Sequence, residues 1–549
     1  MSTVKKNKFV LVSLVMTIIL AGLTFGNLPG PTTPTGIQVI DGITYNFDQY
    51  RSVNHEMLAI FNYLDTIVSS DYQGYGEWNG WNADHFAGLH HYVLAFMAYA
   101  TAQLFESTPG YRTDFYRNFA FDLIEKMNTS ETEWGTNSIQ YKEWTNPNYG
   151  FVDYYYDPAN PASTSDTSKL YVGDFRGPAN IMWTGHFALM EALYERNFNT
   201  GELTDEMSWF MNDWNTSLLT DGYGNPKDGG IWGTGLIPCE PYIVFVQCNS
   251  IPIFFTELYD NMYGTTYMEG GMWDYGLDFI NDDMQDDYGL FTDGYYVMQP
   301  ASYEYSGEGA HQQFPGQSID RIVRDGRPKV SSYGTAWSLA FLEYTQPNAS
   351  ATDYPVFLQH YSKDISKDMM YMMDSYNNPG GFGTYDILGT MFSIQLAKQM
   401  GDFATRDRLQ NFMYSLFNKV WSPDGRMLYY DTSSLEPFLQ PVLSFGKIWS
   451  ESQVSIRDLA TPRSAEFWDY PYIGSADDDR IWVYQAEWDE HHEAFILSIK
   501  VDQTATLVFS NFESTPTAYA SGISLGDLTP SGEDYTMTLS PGVYQLVIM

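Results

Sequence analysis

Cysteine is almost missing from this chain: 549 residues contain two, Cys239 and Cys248. So few exclude a disulfide-stapled scaffold, whose small core depends on several bridges. They also speak against structural zinc, which commonly takes four ligands at close spacing. Basic residues are scarce too. Lys and Arg total 28 against 68 Asp and Glu, a formal net charge of −40. That balance disfavours nucleic acid and anionic lipid surfaces as partners. The acids are spread along the chain and read as a solvated coat. Beyond residue 25 no run is long and apolar enough to span a bilayer. No fixed repeat period runs through the sequence, which disfavours a superhelical solenoid.

Aromatic residues, by contrast, reach 17%, with 43 Tyr and 15 Trp. Such an excess either packs large helices or lines a cleft for a sugar or an apolar small molecule. Lys5, Lys6 and Lys8 precede an apolar run over 9–25, the pattern of an export signal or a membrane anchor. The Pro/Gly/Thr-rich stretch 26–36 is a spacer in either case. The protein is therefore expected to be exported, or anchored with its bulk outside the cytoplasm. The sequons at Asn128, Asn215 and Asn348 agree with that location but recur by chance.

Apolar residues at helical spacing, punctuated by Gly, Pro and Asp, predict a dozen helices between residues 50 and 452. The candidates are 51–70, 89–104, 111–127, 178–194, 203–214, 250–262, 270–284, 331–346, 353–374, 386–400, 402–420 and 438–451. Twelve helices in sequential hairpins suggest a mainly α fold, an (α/α)6 barrel or toroid of six inner and six outer helices. After residue 470 short β-branched and aromatic runs, such as 480–484, 494–499, 504–509, 535–539 and 543–548, predict a small antiparallel β module. Its expected job is packing on the barrel or presenting it at a surface, with carbohydrate binding as an alternative. The expected division is 1–36 for signal or anchor plus linker, 37–470 for the barrel and 471–549 for the β module.

Three readings of the cysteines remain on spacing alone: a disulfide, a metal fragment, or two thiols facing one pocket. A thiolate is basic and nucleophilic, so a thiol pair near an imidazole and a carboxylate can move protons without a cofactor. A second cluster lies in Asn180-Ile-Met-Trp-Thr-Gly-His186. His186 follows Met182 by four residues, hence on the same helical face, and Gly185 leaves room for close approach by a helix or a ligand. A lone helical His is often a satisfied core residue.

Together, this run and the later Cys239-Glu-Pro and Gln247-Cys-Asn blocks with Pro252 resemble the linalool dehydratase-isomerase family, over roughly residues 80–400. The resemblance implies an (α/α)6 barrel acting on terpene alcohols without a cofactor or metal. It implies a site of two cysteines, a His, a Met, an Asp and several Tyr. Cys239, Cys248, His186 and Met182 match in order and spacing. Asp84 is the candidate for the Asp, and could equally cap the helix that follows. His90, His91 and Tyr92 compete for the place of a following Tyr. Tyr303 or Tyr305 stands for a later one. Glu240 matches the block as a site or loop residue, and Trp183 joins the apolar wall. The acidic group Asp282, Asp283, Asp286 and Asp287 lacks the full EF-hand pattern and reads as solvated charge.

The expected activity is that of a cofactor-independent hydro-lyase or isomerase on a small apolar alkenol, with an alcohol or alkene as its partner molecule. Cys239 or Asp84 would assist the hydroxyl, and His186 or Cys248 would take a carbon-bound proton. One alternative is a glycoside-processing enzyme on the same toroid, with Glu240, Glu304 and Glu308 as candidate carboxylates. The other is a non-catalytic surface protein. A homo-oligomer is left open.

Overall fold

The computed structural model describes residues 36–68, 90–128, 181–221, 224–239, 243–286, 288–292, 294–297, 331–373, 386–432 and 439–549. The fold is mainly α. Twelve α-helices appear among the described residues: α1 (His55–Val68), α2 (His90–Ser107), α3 (Asp114–Met127), α4 (Ile181–Phe198), α5 (Thr204–Leu219), α6 (Val246–Tyr263), α7 (Asp274–Asp283), α8 (Ser332–Leu342), α9 (Pro347–Tyr361), α10 (Ile387–Gln399), α11 (Phe403–Ser415) and α12 (Leu439–Glu451). Each falls within or overlaps one of the twelve expected segments.

The even-numbered helices pack in a closed cycle: α2 on α4, α4 on α6, α6 on α8, α8 on α10, α10 on α12, and α12 back on α2. Of the odd-numbered helices, α3 packs on α2 and α4, α5 on α4, α9 on α8, α11 on α10, and α1 on α12. A helix sandwiched in this way must be apolar all round. Accordingly every residue of α4 from Ile181 to Asn197 is buried. Several hydroxyls in the inner helices bond the carbonyl four residues back, as Thr101 does to Met97 and Ser393 to Gly389, which meets those donors inside the core.

One expected helix, 353–374, is displaced. Its place is taken by α9, ending at Tyr361, and by a hairpin of strands. Short antiparallel pairs lie between helices: β3 (Ile243–Phe245) with β4 (Gly294–Tyr296), β5 (Ser362–Ser366) with β6 (Met369–Met372), and β7 (Asn418–Trp421) with β8 (Leu428–Asp431). They follow β1 (Ile37–Ile40) and β2 (Ile43–Asn46), an N-terminal hairpin. Among the described residues no helix is long and apolar enough to cross a membrane; the apolar run 9–25 lies outside them.

The C-terminal part is a pair of antiparallel sheets built from β9 (Tyr472–Ala476), β10 (Ile481–Asp489), β11 (Ala494–Val501), β12 (Ala505–Ser510), β13 (Thr517–Ala520), β14 (Ile523–Asp527), β15 (Thr529–Ser531), β16 (Asp534–Leu539) and β17 (Gly542–Ile548). One has the order β10-β11-β17-β13-β14, the other β15-β16-β12-β9. Phe495 of β11 meets Phe509 of β12 edge-on at 5.8 Å, in the core between the sheets. The opposite face of β11, Ala494 and Ile496, is covered by Ile40, Tyr45 and Phe47. Burial on both faces explains the continuous apolar run of β11. Residues 37–47, grouped with the helices in the sequence reading, thus pack on the β module. The module is joined to the helices at the turn after α2. Gly110 N–H donates to Ala486 O at 2.8 Å and its carbonyl accepts from Ile473 N at 2.8 Å. A Cβ at Gly110 would stand 2.5 Å from the Phe495 ring, so only glycine lets the turn close on the sheet.

Candidate active site

The two cysteines are brought to one end of the ring by their neighbours. Cys248 is the third residue of α6. The side chain of the next residue, Asn249, accepts from Ile237 N at 2.9 Å and donates to Ile237 O at 3.0 Å and Phe245 O at 2.9 Å. It therefore clamps the loop leading to Cys239 against the start of α6. That loop in turn receives α4: Ile181 N–H donates to Pro238 O at 3.0 Å. Both cysteines are buried, and neither is in a disulfide. The disulfide that spacing allowed is not formed.

Close approach of α4 and α6 rests on Gly185 and Pro252. A Cβ on Gly185 would come 3.0 Å from Pro252 Cδ. The space beside His186 left by Gly185 is thus taken by a helix. Pro252 also lacks the N–H that would bond the Cys248 carbonyl one turn earlier.

His186 is wholly buried among aromatic rings. Its Nδ1 is 2.7 Å from the hydroxyl of Tyr99. Its ring meets Tyr92, Phe96 and Trp337 edge-on at centroid separations of 5.2, 5.5 and 5.4 Å. Tyr92, Phe96 and Tyr99 are spaced i, i+4, i+7 on α2 and share one face. The Tyr92 hydroxyl lies 3.8 Å from Cys248 Sγ, which links the thiol to the imidazole through one ring. Burial holds the Tyr99 phenol well above its ordinary range, so it stays protonated.

Among the sequence candidates, Tyr92, His186 and Cys248 come together. Met182 is buried one turn before His186 on α4. Trp183 stacks on Phe187 at 4.5 Å, and Phe187 meets Phe210 of α5, toward the outer layer. Asp84, Glu240, Tyr303 and Tyr305 lie outside the described residues, as do Glu304, Glu308 and Asp287. His90 and His91 open α2. Asp282 and Asp283 end α7, and Asp286 accepts from Tyr288 N and Leu290 N to close a turn. Among the described residues no three His, Cys, Asp or Glu side chains are grouped to hold a metal ion.

Phe96, Tyr99 and Trp337 were given no role from the sequence, and Asn249 was read only as part of the Gln247-Cys-Asn block. The i+4 and i+7 spacing from Tyr92 could have found the first two. Nothing local could have found Trp337, which arrives from α8.

Fold and site together define a mainly α protein with thiol, imidazole and phenol groups inside an apolar ring of helices. Residues 232–435 match the model of the family described as linalool dehydratase/isomerase, so over that stretch the chain is similar to that family. The stretch contains Cys239 and Cys248; Tyr92, Tyr99, Met182 and His186 precede it. Similar solved structures include a family 105 glycoside hydrolase of C. acetobutylicum ATCC 824, at 9% identity and TM-score 0.42, covering 73% of this chain and 98% of that one. An unsaturated glucuronyl hydrolase from Bacillus sp. GL1 has 7% identity and TM-score 0.41, covering 75% and 98%. An α-1,6-mannanase from Salegentibacter sp. HEL1_6 has 11% identity and TM-score 0.40, covering 74% and 98%. At these scores the likeness decides nothing about substrate or mechanism.

Proposed function

We propose that this protein is a cofactor-independent hydro-lyase or isomerase acting on an apolar alkenol, built on an (α/α)6 toroid and working outside the cytoplasm. The observation that carries the reading is the linkage of a buried free thiol, Cys248, through Tyr92 to the Tyr99-bonded imidazole of His186. The match of residues 232–435 to a dehydratase/isomerase family supports it.

Loss of water from an allylic or tertiary alcohol needs a proton delivered to the hydroxyl as the C–O bond breaks. It needs a base for the proton on the adjacent carbon, whose C–H electrons become the new double bond. Return of water at the other end of the allylic system gives the isomer. Cys239 or Asp84 is assigned to the hydroxyl, and His186 or Cys248 to the carbon-bound proton. Aromatic walls suit a hydrocarbon chain and exclude bulk water. His186 is 0% exposed beneath Tyr92, Phe96 and Trp337, while Tyr92 is the partly exposed member of the three. Tyr92 is therefore the ring a substrate displaces on reaching the imidazole.

The full-length protein, kept anaerobic with reductant, should turn over one or more of linalool, geraniol and a short tertiary alkenol. Cys239→Ala and Cys248→Ala should each lower kcat/KM by about 100-fold or more. Wild-type inactivity across that panel, beside clear hydrolysis of a glycan, would sink the proposal. Full activity in Cys248→Ala would remove that thiol from the mechanism.

A further inference from the structure

We propose that Phe96 is the floor of the substrate space and sets the longest hydrocarbon chain the enzyme accepts; this rests on the alkenol reading above. The Phe96 ring lies parallel to that of Tyr92, one turn deeper on α2, with centroids 6.2 Å apart and planes within 13°. Space vacated by Tyr92 is therefore bounded below by the face of Phe96.

Phe96 and Trp337 are each 5% exposed, whereas Phe392 and Trp449 are 1% exposed and Phe445 is 0%. Phe96 meets the last three rings at 5.3, 5.3 and 5.8 Å. They come from α10 and α12, the two helices that carry the ring from α8 back to α2. One phenyl group thus stands between Tyr92 and His186 on one side and the aromatic rings of α10 and α12 on the other. Removing it leaves an apolar cavity continuous with the site, of the kind that stays dry and takes up hydrocarbon. A chain too long for the native space then gains room in that direction.

The test uses the full-length protein and tertiary allylic alcohols of five, ten and fifteen carbons. Phe96→Ala and Phe96→Leu should raise the fifteen- to ten-carbon ratio of kcat/KM by about tenfold or more, Ala more than Leu. Phe96→Trp should lower it. The same variants are titrated calorimetrically with saturated tertiary alcohols of these lengths, which bind without reacting, and the length of tightest binding should increase in Phe96→Ala. An unshifted length profile in binding, or an equal loss for all lengths, overturns the assignment. A shifted binding profile without turnover by wild type upholds the floor and rejects the dehydratase reading. Should Phe96→Ala fail to fold, Phe96→Leu carries both measurements.

Discussion

The hydroxyl of Tyr99 lies 2.7 Å from Nδ1 of His186, and both residues are fully buried. Two tautomers of that pair assign opposite roles to the imidazole. With the proton on Nδ1 and donated to the phenol oxygen, Nε2 can accept a proton. With the phenol donating to Nδ1, Nε2 already carries one. The base role of His186 requires the first arrangement.

Tyr99→Phe removes the partner that fixes this tautomer. We expect kcat to fall by about 10- to 100-fold with KM little changed. Stability should drop by about 1–3 kcal/mol, because a buried ring nitrogen loses its partner. Steady-state kinetics with a pH profile, alongside urea unfolding, measure both. An unchanged kcat would show that Tyr99 only packs.

Asn249 makes three hydrogen bonds to backbone groups at the base of the cysteine loop. Asn249→Ala should cost about 3 kcal/mol of stability and free that loop. Release of the clamp should also let Cys239 react at least tenfold faster with a thiol reagent under native conditions. A slower reaction, or the wild-type rate, would contradict the clamp.

The Gly185–Pro252 contact predicts a coupled pair. Gly185→Ala places a methyl 3.0 Å from Pro252 Cδ and should destabilise by about 1–3 kcal/mol. Pro252→Ala removes the opposing ring atoms. The double variant should therefore be more stable than the sum of the single effects, by about 1 kcal/mol. Strict additivity in urea unfolding would refute the contact.

Glu106, at the C-terminal end of α2, predicts a pH dependence. Burial opposes its ionisation, but the guanidinium groups of Arg463, Arg196 and Arg51 outweigh this and hold the carboxyl below its ordinary value of 4.5. Arg196 and Arg463 approach it at 3.0 and 2.7 Å. A depressed carboxylate stabilises the fold above the unfolded-state value and loses that contribution as pH falls through the folded one. Glu106→Gln should cost about 3 kcal/mol at pH 7, since it leaves buried cations without their counter-charge. The gap to wild type should narrow steadily below about pH 4.5, as the wild-type carboxyl itself becomes neutral. A gap independent of pH would show that charge is not the cause.

Much of the fold was legible because helix periodicity is local. The spacing in α2, α4, α10 and α12 needs no knowledge of partners. Segment 353–374 misled for the same reason. Its apolar residues suit a helix as far as Tyr361, and beyond it Met370 and Met372 are buried while Tyr371 is partly exposed, the two-residue period of β6. β11 showed its apolar run, but the hairpin covering its second face comes from residues almost 450 positions upstream. The Cys239/Cys248 pair and the Met182/His186 turn were readable as blocks of type and spacing. Phe96, Trp337 and Phe392 were three aromatics among many until the helices closed.

The sequence by itself determined the helices, the β module and the chemical types at the site, because each depends on residues within a few turns of one another. It left the two cysteines with three readings and His186 with a core role as well as a catalytic one. Tertiary structure buries both cysteines and leaves them out of a disulfide. It decided the imidazole's neighbours by packing α2 against α4 and bringing Trp337 of α8 to the same rings. Such choices depend on side chains that meet across tens to hundreds of residues, and only the packed ring of helices sets those distances.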